Sequence, residues 1–451
     1  MNTPDRQYIQ MIETPIPKLI TTLAFPTVIS MLVTNIYNMA DTFFVSRLGT
    51  SASGAVGITA TLSLLILTIG LTFGHGAGSM ISRALGKRDD KQAHCLTSTA
   101  FFTALIVGAV FAVAGLLCLN PLLRLLGSTE TILPYARSYG IYILIAAPFT
   151  IAGFVLNNIM RYEGKARLAM VGLTAGAILN IVLDPIFIFG LGLGTAGAGL
   201  STALSQVISF CLLLYMYVSG KTQCRIAWDI ADFHVVLPII KNGLPSMARQ
   251  GMNCLSSMLL NRAAAVYGDA ALAAISIVNQ ISHFIVAIMI GIGQGYQPVA
   301  GYNFGAGRYD RLRQGFYFTF LLGEVVLTLL SVIFFLAAGQ IVTAFRDDPE
   351  VVTIGITMLR LQCISLISQS YCTCANMMFQ SIGETGRATF LATTRNGLYL
   401  IPALLILPRA IGLLGIQLAQ PVADVAALLT AIPLITVFFA KLKKQQIKND
   451  V

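Results

Sequence analysis

Long runs of apolar residues recur along the chain, and they restrict its fold more than any other feature. A membrane-crossing helix needs roughly 20 predominantly apolar residues. Only 11% of the 451 residues are charged, too few to cover a soluble protein of this size. The runs are also longer than the alternating strands of a membrane β-barrel. We therefore predict an all-α membrane protein with twelve transmembrane helices, at about 19–46, 55–82, 95–121, 132–158, 168–190, 196–218, 238–266, 272–300, 314–344, 353–380, 388–409 and 416–440.

The basic residues are distributed unevenly between the two sides of these spans. With the N-terminus placed in the cytoplasm, 20 of the 29 Lys and Arg residues fall on the cytoplasmic side, as the positive-inside rule requires. We therefore expect a plasma-membrane protein with both termini cytoplasmic and a basic tail at 441–451. Topology and attraction to anionic lipid account for the net charge of +10, so no nucleic-acid partner is expected.

The two halves of the chain repeat each other at an offset of 219 residues. This offset aligns Pro26 with Pro245, Gly49 with Gly268 and Asn157 with Asn376. Each half has six spans, an even number, so the halves share one orientation and are related by a pseudo-two-fold axis along the membrane normal. We predict an N-lobe (1–218), a cytoplasmic connector (219–237) and a C-lobe (238–440) around a central cavity, with helix bends at Pro26 and Pro245.

A group of polar residues lies inside the spans of the first half. Asp41 shares a helix face with Tyr37, and Asn180 precedes Asp184 by one turn on the fifth span. The other members are Asn157 on the fourth span and Thr202 and Gln206 on the sixth. The second half has Leu260 and Ala403 at the positions equivalent to the two carboxylates. Carboxylates inside a membrane are costly and indicate function.

These oxygen-rich side chains support two kinds of chemistry. A buried carboxylate pair can hold a proton, because burial and a neighbouring like charge disfavour two negative charges. The carboxylate, amide and hydroxyl oxygens of this group could instead bind a hard monovalent cation such as Na⁺. The third interpretation is a hydrogen-bond network that only holds the helices together. Glu324 and Asp424 are expected to lack comparable polar neighbours on their helix faces, and the roles of Arg249 and Arg262 are left open.

The sequence lacks the motifs of an intramembrane enzyme or an ATP-driven pump. Neither HExxH nor GxSxG occurs, and the Gly220-Lys221-Thr222 run has Tyr215 where a Walker A loop needs glycine. The eight cysteines show no zinc-binding spacing. We expect no enzymatic activity and no cofactor beyond a coupling ion.

Two segments resemble a known transporter family. Asn35 to Gly49 in the first span and Ile178 to Pro185 in the fifth are similar to the multidrug and toxic compound extrusion (MATE) transporters, and most of all to their prokaryotic DinF-type and MepA-like branch. The resemblance covers the whole chain. It implies the two-lobe MATE fold, a coupling-ion site at Asp41, Asn180, Asp184 and Thr202, and pocket lining by Tyr37 and Asn157. It also implies bending of the first span at Pro26 when that site changes occupancy.

The resemblance also implies export of cationic, amphipathic organic compounds in exchange for H⁺ or Na⁺. We expect a monomer, although the sequence leaves the oligomeric state open. The NorM-type branch places acidic residues on spans 7 and 10, where this sequence has no carboxylate, so a C-lobe cation site is in doubt. A lipid-linked saccharide flippase of the same superfamily is the alternative, with Arg249 and Arg262 available for a pyrophosphate. The span count and the acidic pair disfavour it.

Overall fold

The computed structural model describes residues 3–449, and within that range every regular element is helical. The first half contains α1 (Thr3–Glu13), α2 (Ile16–Ser46), α3 (Thr50–Gly86), α4 (Asp90–Leu117), α5 (Leu119–Leu125), α6 (Leu133–Tyr162), α7 (Ala166–Pro185) and α8 (Gly194–Val218). The second half contains α9 (Val236–Ala265), α10 (Asp269–Gly305), α11 (Tyr309–Leu336), α12 (Ala338–Phe345), α13 (Pro349–Leu366), α14 (Gln369–Ile382), α15 (Thr385–Thr393), α16 (Leu400–Ile411) and α17 (Leu413–Asn449). Two π-helical turns, Ile186–Gly190 and Thr394–Tyr399, continue α7 and α15.

Eleven of the helical segments in the described chain are long and apolar enough to cross a membrane. The predicted span at about 238–266 corresponds to α9, which falls outside this group and carries Lys241, Arg249 and Arg262 together with several uncharged polar residues. The predicted span at about 353–380 consists of two helices, α13 and α14. The twelve predicted spans thus correspond to eleven strongly apolar segments and one more polar helix.

The 219-residue repeat is reproduced in local geometry. Gly49 and Gly268 precede α3 and α10 with φ values of +116° and +96°, a conformation that favours glycine. The Asn157 side-chain amide donates to the Ala169 carbonyl at 2.8 Å, and that of Asn376 donates to the Ala388 carbonyl at 2.6 Å. The same turn and the same helix-to-helix link therefore occur at equivalent positions in both halves.

The chain forms two compact units. The first comprises the segment up to Met11 together with Ile29–Gly243, and the second comprises Ile12–Val28 together with the chain from Leu244 onward. Helix α2 changes unit two residues after Pro26, and α9 changes unit two residues before Pro245. These units are defined by packing, whereas the N-lobe, connector and C-lobe boundaries were defined by the repeat and stay a prediction.

Glycines allow close helix packing inside the second unit. A Cβ atom on Gly295 would lie 2.5 Å from Ala24 Cα, and one on Gly291 would lie 2.7 Å from Val28 Cα. Both distances are shorter than carbon atoms tolerate, so α10 approaches the first half of α2 through its glycines. The sequence Gly291-Ile292-Gly293-Gln294-Gly295 is therefore a helix-packing surface.

Candidate functional site

Four helices of the first unit contribute to one polar cluster. Asp41 comes from α2, Asn180 and Asp184 from α7, and Thr202 from α8. The spacing of four residues places Asn180 and Asp184 on the same face of α7. Tyr139 from α6 completes the cluster. The four residues predicted to bind the coupling ion are thus brought together.

Asn180 lies at the centre of the hydrogen bonds. Its Nδ2 donates to Asp184 Oδ1 at 3.4 Å and lies 3.3 Å from both Ser201 Oγ and Thr202 Oγ1. Ser201 Oγ also donates to the Asn180 carbonyl at 3.3 Å. Asn180 is 2% exposed and Asp184 is 0% exposed. A single amide group therefore links α7 to α8 and orients one of the two carboxylates.

Tyr139 connects Asp41 to the rest of the cluster. Its hydroxyl donates to Asp41 Oδ2 at 3.4 Å and lies 3.5 Å from Thr202 Oγ1. Tyr37 is half-buried one turn before Asp41 on α2, and its pocket-lining role stays a prediction. Tyr139 was not predicted from the sequence, because this tyrosine of an apolar span has no charged or amide neighbour at helical spacing to mark its face. Ser201 was missed because it is an isolated hydroxyl next to Thr202.

Three oxygen atoms of the cluster are buried without a hydrogen-bond partner among the described residues. They are Asp41 Oδ1, Asn180 Oδ1 and Asp184 Oδ2. A buried oxygen without a partner is costly, and two of these three belong to carboxylates. Oxygen atoms of carboxylate and amide groups are ligands for Na⁺, and a carboxylate oxygen can equally accept a proton. The residues present therefore fit either coupling ion.

The remaining predicted residues lie apart from this hydrogen-bond network or at its edge. Asn157 is buried and donates to the Ala169 carbonyl, which ties α6 to α7. Gln206 is half-buried one turn after Thr202 on α8. Pro26 and Pro245 lie inside α2 and α9. The pocket-lining roles of Asn157 and Gln206 stay predictions.

A second polar cluster surrounds Asp424 in the second unit. Arg395 Nε donates to Asp424 Oδ1 at 2.5 Å, and Gln420 Nε2 donates to the same oxygen at 3.0 Å. Ser365 Oγ and Gln369 Nε2 donate to Oδ2 at 2.9 and 3.3 Å. The expectation that Asp424 lacks polar neighbours on its own helix face was wrong, because Gln420 lies on that face of α17 and donates to it. Its other three partners come from other elements of the second unit. Gln420 was visible in the sequence, one turn before Asp424.

Asp424 differs from Asp41 and Asp184 in how its charge is compensated. Both of its oxygens accept hydrogen bonds, and the Arg395 guanidinium forms an ion pair with it. Removing either member of a buried pair leaves an uncompensated charge. This cluster therefore holds the helices of the second unit together, whereas the cluster at Asp41 and Asp184 has oxygens available for an ion.

Glu163, which no sequence pattern singled out, is a fully buried carboxyl just beyond the end of α6. Its Oε2 accepts from the Gln223 backbone N–H at 2.9 Å and its Oε1 accepts from the Tyr217 hydroxyl at 3.4 Å. Burial raises the pKa of Glu163 from 4.5 to about 7, although hydrogen bonds from Gln223 and Cys224 act in the opposite direction. The connector after α8 thus packs onto a carboxyl that titrates near neutral pH.

Known proteins resemble this chain over almost its full length. "Multidrug export protein MepA" of Staphylococcus haemolyticus (strain JCSC1435) is 27% identical over 425 residues, which is 93% of either chain. Crystal structures of a MATE protein in straight and bent conformations superpose with TM-scores of 0.92 and 0.90, both at 26% identity. They cover 97% and 99% of this chain, and 99% of their own chains. The predicted all-α membrane fold is confirmed by this similarity.

The family comparison also bears on the repeat. The MatE family profile matches twice, at residues 26–186 and 245–405. Both ends of the second match lie 219 residues after those of the first, the same offset that the sequence repeat gave. The first match contains Asp41, Asn180 and Asp184. The predicted family is confirmed, and the chain belongs to the MatE family of membrane transporters.

Proposed function

We propose that this chain is a secondary active multidrug exporter that expels cationic, amphipathic organic compounds in exchange for H⁺ or Na⁺. The observation that carries the proposal is the carboxylate pair of the first unit, in which Asp41 Oδ1 and Asp184 Oδ2 have no hydrogen-bond partner in the part of the chain that the structure describes. The second unit has Leu260 and Ala403 at the equivalent positions. The similarity to a multidrug export protein supports the export of drugs.

The cluster suits an exchange of charge because its two carboxylates share one buried environment. Asn180 holds Asp184 and the Tyr139 hydroxyl holds Asp41, so both side chains are oriented before an ion arrives. Binding of a proton or Na⁺ offsets a negative charge that is costly inside a membrane. Loss of that ion restores the repulsion between the two carboxylates. Ion occupancy can therefore shift the equilibrium between two arrangements of the first unit.

Helix α2 is the element that connects this cluster with the rest of the chain. It carries Asp41 near its C-terminal end and Pro26 about four turns earlier. Proline cannot donate to the carbonyl four residues before it, which weakens the helix at that point. We propose that α2 bends at Pro26 when occupancy at Asp41 changes. The relatives that were crystallised in straight and bent conformations are consistent with such a change.

The experiment that tests the function is export of ethidium from vesicles containing the purified protein. The proton and sodium gradients are imposed separately, so the one that drives export identifies the coupling ion. We expect Asp41→Asn and Asp184→Asn to abolish gradient-driven export. The matched control is Glu324→Gln, which removes a carboxylate from a span of the second unit. Export at the wild-type rate by both aspartate variants would refute the assignment of the coupling site.

The same proposal places the protein in the plasma membrane as a monomer with both termini cytoplasmic. It needs no cofactor besides the coupling ion and no nucleic-acid partner, and it is a transporter and not an enzyme. The flippase alternative predicts a different phenotype. A lipid-linked saccharide would accumulate when the gene is deleted from its host, and drug sensitivity would not change.

A further inference from the structure

The connector between α8 and α9 is held against the first half of α4. Ser98 Oγ donates to the Arg225 carbonyl at 3.2 Å and accepts from the Ala227 N–H at 3.1 Å. Thr99 Oγ1 accepts from the Asp232 N–H at 2.9 Å. Two adjacent hydroxyl side chains of α4 thus fix the backbone on both sides of Trp228. The connector has a defined position on this helix.

Trp228 is the only tryptophan of the chain, and it lies in an aromatic group that is open to the surroundings. Its ring packs edge-on against Phe102 of α4, with centroids 4.7 Å apart, and lies 5.7 Å from the ring of Phe233. Trp228 is 61% exposed and Phe233 is 44% exposed. We call Phe102, Trp228 and Phe233 the aromatic patch.

The aromatic patch continues an apolar stripe along α4. Phe102 is followed at helical spacing by Ile106, Val110, Val113 and Leu117, whose exposed fractions are 48%, 64%, 58% and 81%. From Ala100 to Leu117 the only polar residue of α4 is Thr103. An exposed apolar stripe on a membrane-spanning helix faces lipid tails. The patch therefore lies at the end of a lipid-facing surface.

The depth of the patch follows from the sequence of α4. Before Ala100 the helix is polar, with Asp90, Lys91, Gln92 and His94 in its first turns and three hydroxyl residues at 97–99. Trp228 thus packs where α4 changes from polar to predominantly apolar. Tryptophan is enriched at this level of a bilayer because its ring is apolar while its indole N–H can still meet water or a headgroup.

We propose that the aromatic patch is a lipid-contact site, in which Trp228 and Phe233 insert at the boundary between the headgroups and acyl chains of the bilayer. The occupant is phospholipid, since the patch is continuous with the lipid-facing stripe of α4. The connector carries Lys221 and Arg225 but also Asp229 and Asp232, so its charges balance and apolar insertion is the main attraction. The connector then lies on the membrane surface and is held there by its tryptophan.

The single tryptophan allows a direct test on the unmodified protein. The protein is placed in phosphatidylcholine vesicles whose acyl chains are brominated either near the glycerol or near the methyl end, and tryptophan fluorescence is recorded. We expect strong quenching by bromine near the glycerol, weaker quenching by bromine near the methyl end, and little quenching by aqueous iodide. Two variants calibrate the depth scale, both in a Trp228→Phe background: Val110→Trp as the deep reference and Lys87→Trp as the aqueous reference.

The two reference variants show whether Trp228 lies in water, at the bilayer interface or among the acyl chains. Emission that follows the aqueous reference, with strong iodide quenching and no bromine effect, would show that water or a soluble partner covers the patch and would overturn the proposal. Emission that follows the deep reference would overturn the assigned depth. Because the readout is lipid contact and not export, the result is independent of the transport function proposed above.

Discussion

Asn157 and Asn376 make the same contact in the two halves, and this allows a test of whether Asn157 has a functional role. Each donates its side-chain amide to a backbone carbonyl twelve residues later. We expect Asn157→Ala and Asn376→Ala each to destabilise the protein by about 1–3 kcal/mol, because a buried carbonyl loses its donor. Thermal unfolding in detergent measures this loss.

Transport by the folded fraction distinguishes the two roles of Asn157. With a structural role, the dependence of ethidium export on the driving ion is the same in Asn157→Ala, Asn376→Ala and wild type. If Asn157→Ala alone changed that dependence and left thermal stability intact, Asn157 would belong to the binding pocket.

Glu163 predicts a pH dependence of stability. Between pH 4.5 and about 7 the folded protein keeps a proton that the unfolded chain has released, so stability falls as pH rises through this window. Below the window both states are protonated, and above it both are ionised. Glu163→Gln removes this contribution, and its stability relative to wild type should rise by on the order of 2–3 kcal/mol from about pH 5 to about pH 8.

Thermal unfolding of wild type and Glu163→Gln across that pH range provides the measurement. The control is Glu13→Gln, because Glu13 is exposed and its replacement should leave the pH profile unchanged. An unchanged profile for Glu163→Gln would mean that the Glu163 carboxyl is solvated and titrates normally.

At the residue scale, the sequence predicted polar side chains but not the contacts between helices. Asn180 and Asp184 could be found because a four-residue spacing places both on one helix face. Tyr139 and Arg395 could not, because they reach Asp41 and Asp424 from other helices. The rotation of one helix against another depends on packing of the whole unit, which local spacing does not encode.

At the element scale, the proposed bend of α2 at Pro26 can be tested by substituting the proline. Pro26→Ala restores a backbone N–H inside α2, the helix that carries Asp41, and so strengthens the helix where we propose that it bends. We expect a stable protein whose ethidium export falls at least about tenfold, which corresponds to about 1.4 kcal/mol. Vesicle export and thermal unfolding are measured together.

Pro245→Ala is the matched control for Pro26→Ala. Pro245 holds the equivalent position in α9, a helix without a carboxylate. Its replacement should reduce export less than that of Pro26. Equal losses in both variants would indicate that the two prolines act through packing and not through the coupling site.

Elements themselves were easier to predict than their interruptions. The long apolar runs indicated the spans, because apolar length alone decides whether a helix can cross a bilayer. The break between α13 and α14 and the π-helical turn at Thr394–Tyr399 were not predicted. No glycine or proline lies at the break between α13 and α14, at residues 367 and 368. Gly397 lies within the π-helical turn, but one glycine in a span does not by itself predict such a turn, and Arg395 of the turn pairs with Asp424 through tertiary structure.

At the scale of the whole molecule, the two halves share local helix geometry but differ in how their buried carboxylates are paired. Both halves keep the glycine turn and the asparagine link. Within residues 3–449, Asp41 and Asp184 of the first unit each have a buried oxygen without a hydrogen-bond partner, while both oxygens of Asp424 in the second unit accept hydrogen bonds. The repeat therefore describes the fold of both halves, whereas we assign the coupling-ion site to the first half.

The orientation of the whole chain can be tested with introduced cysteines. All eight native cysteines are free, so they can be replaced without breaking a disulfide. In that background Lys87→Cys and Arg308→Cys report the loops before α4 and α11, and Ser128→Cys reports the loop before α6. The charge bias predicts that a membrane-impermeant maleimide labels only Ser128→Cys in intact cells, and all three after permeabilisation.

The pair Lys87→Cys and Arg308→Cys also tests the symmetry of the repeat. Six spans per half give a parallel repeat, in which equivalent loops lie on the same side of the membrane. Labelling of one but not the other in intact cells would require an odd number of crossings between them and would contradict the counting of α9 as a span. Because Gln223 donates to Asp90 at the start of α4, labelling at Lys87 also reports the side of the connector. A cytoplasmic Lys87 therefore assigns Trp228 to the cytoplasmic leaflet.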